Sequence, residues 1–217
     1  MDSKQTKVQG PRTKDHGPRT TDQLTTGAGK QDGNEAKTDR SWVSVGFDLR
    51  APTVTLRREM KAVRRRLRLT FPASGESVVA ELLDDEAPNV CNLVWNMLPV
   101  ETKAIHGMYS GAEIFAMVDQ PQPAPAENLV QLPLPGEILY FYDPGTGATG
   151  AKKPVGEIVI VYGRGVTLRA HEGVPTHCAL CARIPGDWKY DWPKFAQECR
   201  KARWEGPQVL RIERVAR

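Results

Sequence analysis

Between residues 104 and 117 the chain reads AIHGMYSGAEIFAM, and several of its side chains could do chemistry. His106 and Glu113 can exchange protons near neutrality, as a general acid/base pair must. Tyr109 and Ser110 carry hydroxyls that can donate hydrogen bonds, and Gly107 and Gly111 lie among them. Polar, reactive groups gathered in an otherwise apolar segment mark a candidate site. Beyond this segment, Arg164 could clamp a carboxylate, and Trp95, Tyr142 or Tyr162 could face an aromatic ring. Each also has an ordinary reading. A strand histidine is commonly a satisfied core or surface residue, and Glu113 reads equally well as solvated. Arg164 can simply finish a strand, Trp95 can edge an apolar stripe, and Tyr142 and Tyr162 can be core.

Other chemistries find less support. The four cysteines are Cys91, Cys178, Cys181 and Cys199, and Cys178-Ala-Leu-Cys181 has His171 and His177 close by. THCALCARIPGD reads as a strand ending in a Pro-Gly turn, so Cys178 and Cys181, an odd number apart, face opposite sides. No second cysteine or histidine pair stands at zinc-ribbon spacing. These residues therefore read as buried, reduced and structural, with no metal and no cofactor expected. The loop DPGTGATGAKKPVG is rich in glycine but lacks the ending of a phosphate cradle. Arg57, Arg58, Lys61, Arg64, Arg65, Arg66 and Arg68 form a basic run against Glu59 alone. It has no interleaved aromatics, so it reads as a solvated face or linker rather than a nucleic-acid surface.

The elements that must position the site follow from composition and periodicity. At 217 residues the chain has room for one domain and a tail. Residues 1–40 hold only Met1, Val8, Leu24, Ala28 and Ala36 as apolar groups, too few to offset backbone ordering, and read as disordered. Residues 41–66 read as a short strand, SWVSVGFDL, and a basic linker. No apolar run approaches the roughly 18 residues of a membrane span, and no apolar core follows the N-terminal charges as in a secretory signal. A cytoplasmic protein without membrane contact is expected.

From Leu67 onward the pattern is regular. Leu67, Leu69 and Phe71 alternate with polar residues and, after the turn PASGE, SVVAELL completes a hairpin. Asp84-Asp85-Glu86 should open a helix with Asp85 as its cap, burying Val90, Cys91 and Val94, with Pro99 ending it. Strands are expected at 102–109 and 112–118 around Ser110-Gly111, then at EILYFY (137–142). EIVIVYG (157–163) should be a central strand buried on both faces. HCALCARI is another strand. A helix capped by Asp191 turns Phe195, Cys199 and Ala202 inward, and VLRIERV ends the chain. Seven or eight short strands and two helices without βαβ alternation describe a mainly β, small closed barrel flanked by two helices.

Residues from about Leu67 to Val215 resemble a cyclophilin-like bacterial family that includes the cucumopine synthase catalytic domain. The likeness is carried by AELLDDEAP followed by Cys91 and Trp95, AIHGMYSGAEIF, PGEILYF, VYGRG and CARI. It implies a cyclophilin-like barrel over 67–217. It also implies a cofactor-independent Pictet–Spengler condensation of an aromatic amino acid, tryptophan or histidine, with a 2-oxo acid such as 2-oxoglutarate. The product would be a β-carboline or an opine-like compound. Where the family carries a basic residue this chain has Met108, which favours the larger, more apolar indole. His177 and Cys178 also depart from an otherwise apolar or amide-bearing strand.

The reaction can be set beside the residues. Amine and oxo acid form an imine, a donor keeps it as an iminium, the ring carbon attacks, and a base takes the ring proton. His106 and Glu113 would share the proton transfers, with Tyr109, Ser110, Met108 and Arg164 binding substrate and Trp95, Tyr142 or Tyr162 facing the ring. The expected partners are the two small molecules, and a homo-oligomer is compatible with the sequence. Two other classes remain open: a non-catalytic small-molecule or partner-binding barrel, and a prolyl isomerase, although RLRLTFP lacks the Phe-His-Arg segment of true cyclophilins.

Overall fold

Alternation in 66–70 and 77–82 produces the expected hairpin, β1 (Arg66–Thr70) against β2 (Ser77–Leu82), with Leu67 opposite Ala80 and Leu69 opposite Val78. The computed structural model describes residues 64–216. The readings of 1–40 as a disordered tail and of 41–63 as strand and linker lie outside the described residues.

After the hairpin come α1 (Pro88–Met97), β3 (Val100–His106), β4 (Glu113–Met117), β5 (Leu129–Val130), β6 (Glu137–Asp143) and β7 (Val155–Val161). The short helical turn His171–Gly173, β8 (Cys178–Arg183), α2 (Pro193–Trp204) and β9 (Gln208–Arg214) complete the described chain. All strand pairs are antiparallel, in the order β2-β1-β9-β3-β4-β7-β6-β8. A further pairing of β2 with β8 joins the ends into a closed eight-stranded barrel. β2 occupies only the Ala182–Arg183 end of β8, and the two-residue β5 fills its other end at Cys178 and Ala179. Closure leaves the barrel without the open edges that invite misassembly.

Strand alternation sorts the side chains into two sets. Leu67, Leu69, Ala80, Leu82, Ala104, Ile114, Ala116, Ile138, Tyr140, Ile158, Ile160, Leu210 and Ile212 are almost wholly buried and make the core. Paired residues share a face, and the register places many of these directly opposite one another: Ala104 and Ala116, Ile114 and Ile160, Ile158 and Tyr140. As expected, β7 lies between β4 and β6 and is buried on both faces from Ile158 to Val161.

Both helices begin later than the acids suggest. α1 starts at Pro88 with Ala87 in the cap position, and α2 at Pro193 with Trp192, neither with a side-chain cap bond. Proline suits the first helical position and keeps its predecessor out of helical backbone, so each boundary falls immediately before it. The acids serve elsewhere. Asp84 pairs with Arg65, Arg64 approaches Asp85 and Glu86, and Asp191 Oδ2 accepts from the Asp187 N–H at 2.6 Å. The first turn of α1 is capped at long range instead: Glu127 Oε2 accepts from the N–H of Asn89 at 3.0 Å and of Val90 at 3.1 Å. Glu127→Ala is expected to cost about 1 kcal/mol, the usual value of a lost cap. The test is a lower urea midpoint at unchanged slope.

Candidate active site

On the face opposite the core, Glu113 and Phe115 of β4 share one side of the sheet with Val159 and Glu157 of β7 and Phe141 of β6. Phe115 stands directly across from Val159, and Phe141 across from Glu157. Above this surface lie the β3–β4 connection (107–112), the loop around Gly150–Lys153 and the segment 168–178. Together they enclose a cavity of about 690 Å³, the scale of a small-molecule site.

Glu113 lies in this cavity with its carboxyl buried. It approaches Gly107 so closely that a Cβ there would lie 2.5 Å from its Oε1 and 2.7 Å from its Cγ. Glycine at 107 is thus a condition for the carboxyl's position. Oε2 is buried without a hydrogen-bond partner among the described residues. Burial pushes the Glu113 carboxyl up to about 7, with the Ser110 hydroxyl pulling it partly back. Glu157, half-buried on the same face, is also raised to about 7, first by burial and then by the charges of Glu113 and Asp143.

These two acids set the sign of a pH effect on stability. Each is harder to ionise in the folded state than at its ordinary value of 4.5, so the native protein holds more protons than the unfolded chain in between. Their contribution is therefore greatest below about 4.5 and is lost as pH rises through about 7. The melting temperature is expected to fall between pH 5.5 and pH 8 (roughly the upper part of that window), and Glu157→Gln should flatten the fall. An unchanged slope in that variant would show that Glu157 does not contribute.

His106 borders the cavity but is engaged elsewhere. The register places it opposite Ile114, on the core side, while its neighbour Ile105 pairs with Phe115. Its Nδ1 is 2.8 Å from the Gly107 carbonyl and its Nε2 2.7 Å from the Tyr162 hydroxyl. A carbonyl only accepts, so Nδ1 carries the proton, leaving Nε2 to accept from Tyr162. Burial lowers the imidazole's pKa, favouring this neutral form. Tyr162, nearly fully buried, thus orients His106 rather than facing a ligand.

Ser110 is likewise occupied. It is buried, and its Oγ accepts from the Arg169 N–H at 3.0 Å, tying the 168–178 segment to the β3–β4 connection. Tyr109 and Met108 stand exposed at the mouth, and a Cβ at Gly173 would lie 3.8 Å from the Tyr109 ring.

The structure does not bring Trp95, Tyr142 or Arg164 to the cavity. Trp95 lies on α1 beneath the guanidinium groups of Arg65 and Arg214, at 5.2 and 5.4 Å from its ring centre. Tyr142 falls on the opposite side of β6 from Phe141, facing Gly156 across the strand pair. Arg164 lines a separate surface depression with Pro133 and Trp188. Cations at the cavity come instead from Arg169, Lys152 and Lys153, with His171 nearby. Arg169 donates one guanidinium N–H to the Gly173 carbonyl at 2.9 Å. Sequence reasoning passed over Arg169 because TLRAHEG has no strand or helix period to aim it. Glu157 did leave a trace, being an acid in the otherwise apolar EIVIV.

The cysteines separate as the sequence suggested, and one of them lies at the cavity. Cys178 lines the cavity, where burial, then the Glu113 and Glu157 charges, raise its thiol well above its ordinary value. Cys181 sits against α1, where Cys91 Sγ approaches its carbonyl at 3.2 Å. All four are buried and unpaired.

Residues 69–213 match the family model described as protein of unknown function, DUF3830. No curated protein sequence matches the chain. Among solved structures, McbB in complex with tryptophan is similar over 70% of this chain at a TM-score of 0.51 and 16% identity. The chain spans 45% of that protein's length. A hypothetical protein from Archaeoglobus fulgidus, AF2241, aligns over 70% of this chain and 96% of its own, at 19% identity and a TM-score of 0.41. At 16% identity the likeness to McbB concerns the barrel alone. No helix among the described residues is long and apolar enough to cross a membrane.

Proposed function

The chain belongs to the DUF3830 family, and we propose that it is a condensing enzyme joining an aromatic amino acid to a 2-oxo acid without a cofactor. The observation that carries this reading is Glu113: a buried carboxyl with one oxygen unpartnered, raised to about 7, in an apolar-walled cavity rimmed by cations. The resemblance to cucumopine synthase supplies the reaction type. McbB, whose barrel is similar, was solved with tryptophan bound, which agrees with an aromatic amino acid as the amine.

Amine and oxo acid lose one water to give an imine, which Glu113 in its acid form protonates to the iminium. The electron-rich ring carbon attacks the iminium carbon, forming the new C–C bond and moving its electron pair onto nitrogen. Glu113, now a carboxylate, takes the ring proton and restores aromaticity. One group can serve both steps because a pKa near 7 leaves both forms populated at neutrality. Arg169 is the carboxylate clamp, in the role first given to Arg164, and Phe115, Val159 and Phe141 form the apolar wall. His106, held neutral between Gly107 and Tyr162, positions the turn that carries Gly107 and so the space for Glu113. Met108 and Tyr109 flank the entrance.

Mixing the protein with single amino acids and single 2-oxo acids tests this. Tryptophan or histidine with 2-oxoglutarate should yield a product at the summed mass less one water. Tight binding without any turnover would instead favour the non-catalytic binding barrel.

A further inference from the structure

We propose that Ser110 is a positioning residue of the condensation, its hydroxyl proton shared between two acceptors, the Arg169 carbonyl and the Glu113 carboxyl. The proton turns to the carboxyl each time Glu113 ionises. This rests on Glu113 being the proton carrier of that reaction.

A hydroxyl offers one proton and two lone pairs. One lone pair of Ser110 Oγ is committed, because the Arg169 N–H at 3.0 Å can only donate to it. The single proton must therefore find another partner. Toward the Arg169 carbonyl the distance is 3.4 Å, longer than the roughly 2.5–3.0 Å of a well-made O–H···O bond. That bond is weak and easily given up. The Glu113 carboxyl is the second acceptor, and the hydroxyl acts on it by favouring its charged form. Charged acceptors make the shorter and stronger bonds. Ionisation of Glu113 thus draws the hydroxyl over, and reprotonation releases it. Ser110 itself neither gains nor loses a proton.

The backbone holds this hydroxyl in place. The Thr167 N–H donates to the Ser110 carbonyl at 2.9 Å, and the Glu113 N–H to the Gly111 carbonyl at 2.9 Å. Ser110 is also buried, so rotation of its O–H is the main freedom left to it. No charged neighbour takes over its task. Arg169 and His171 face the cavity from the 168–178 segment, and Lys152 and Lys153 from the loop before β7. Glu157 and Cys178 face it from β7 and β8, and His106 and Tyr109 from beside the β3–β4 connection. What moves Glu113 is burial and Ser110, and none of these. Burial disfavours the carboxylate, and the serine keeps that form within reach for the second proton transfer.

The test reads Glu113 directly, by infrared titration of its carboxyl stretch in the full chain without substrate, with Glu113→Gln to identify the band. The wild type should titrate at about 7. Ser110→Ala should raise that midpoint by roughly one pH unit, because a hydrogen bond to a charged group is lost. Ser110→Thr, which keeps the hydroxyl, should titrate as the wild type does. The pH profile of kcat/KM should move with the midpoint. An unchanged midpoint in Ser110→Ala, or an equal rise in Ser110→Thr, would overturn the role of the serine while leaving the condensing reading intact. If Ser110→Ala does not fold, Ser110→Cys decides in its place: a thiol is a weak donor, so the midpoint should again rise. A wild-type midpoint at the ordinary 4.5 would overturn Glu113 as the proton carrier and the proposal with it. The expected midpoints without any product would overturn the condensation and leave the hydrogen bond standing.

Discussion

Glu113→Gln is expected to lower turnover by roughly 10²–10⁴-fold, the usual contribution of a positioned acid/base group. Glutamine keeps the shape and can still occupy the space beside Gly107, but it can neither protonate the imine nitrogen nor take the ring proton. Circular dichroism should show an unchanged fold. The loss should fall on kcat, because the missing step is proton transfer rather than binding. His106→Gln makes the comparison informative. Both ring nitrogens of His106 are committed, to Gly107 and Tyr162, so its replacement should disturb activity through position and cost less than Glu113→Gln. Should His106→Gln abolish turnover while Glu113→Gln retains it, the assignment of the proton carrier is wrong.

Arg169→Met should reduce kcat/KM by about 100-fold, mostly through KM, since a hydrogen bond to a charged group contributes about 1.5–3 kcal/mol. One of its guanidinium N–H groups is held by Gly173, which aims the others without using them up. Arg169→Lys should recover only part of the loss, because an ammonium cannot present a fork to a carboxylate. Arg164→Met, on a depression apart from the cavity, should leave steady-state rates unchanged. An equal loss in both variants would point to a general effect of surface charge rather than to a clamp.

Much of the scaffold was legible because its period is simple. Leu67, Leu69 and Phe71 announced β1, and the unbroken apolar run of β7 announced a strand between two others. The inward faces of both helices followed from 3.6-residue spacing. Their starts did not, because proline at the first position outweighs an upstream acid, and the cap of α1 comes from Glu127, far along the chain. The short β5, Leu129–Val130, offers two residues and no period at all.

The site was legible where it is local in sequence and obscure where it is assembled. Glu113, Met108 and Tyr109 meet the cavity as the segment 104–117 suggested. Ser110 and His106 flank the same connection, but both ring nitrogens of His106 are held by Gly107 and Tyr162, and the Ser110 hydroxyl accepts from the Arg169 N–H as well as acting on Glu113. Nothing in YGRG or TLRAHEG says which arginine a folded loop will turn inward. Two glutamates lie near the starts of two apolar strands, EIL and EIV, and only the fold reveals that Glu137 is paired with Arg183 while Glu157 faces the cavity.

The most direct measurement is mass spectrometry of the purified protein incubated with pooled amino acids and pooled 2-oxo acids. The account predicts one dominant product, at the mass of an aromatic amino acid plus an oxo acid less one water. It should form without added metal or cofactor and vanish with Glu113→Gln. Contradiction would come from no condensed mass above the protein-free control, or from a product that Glu113→Gln forms at the wild-type rate.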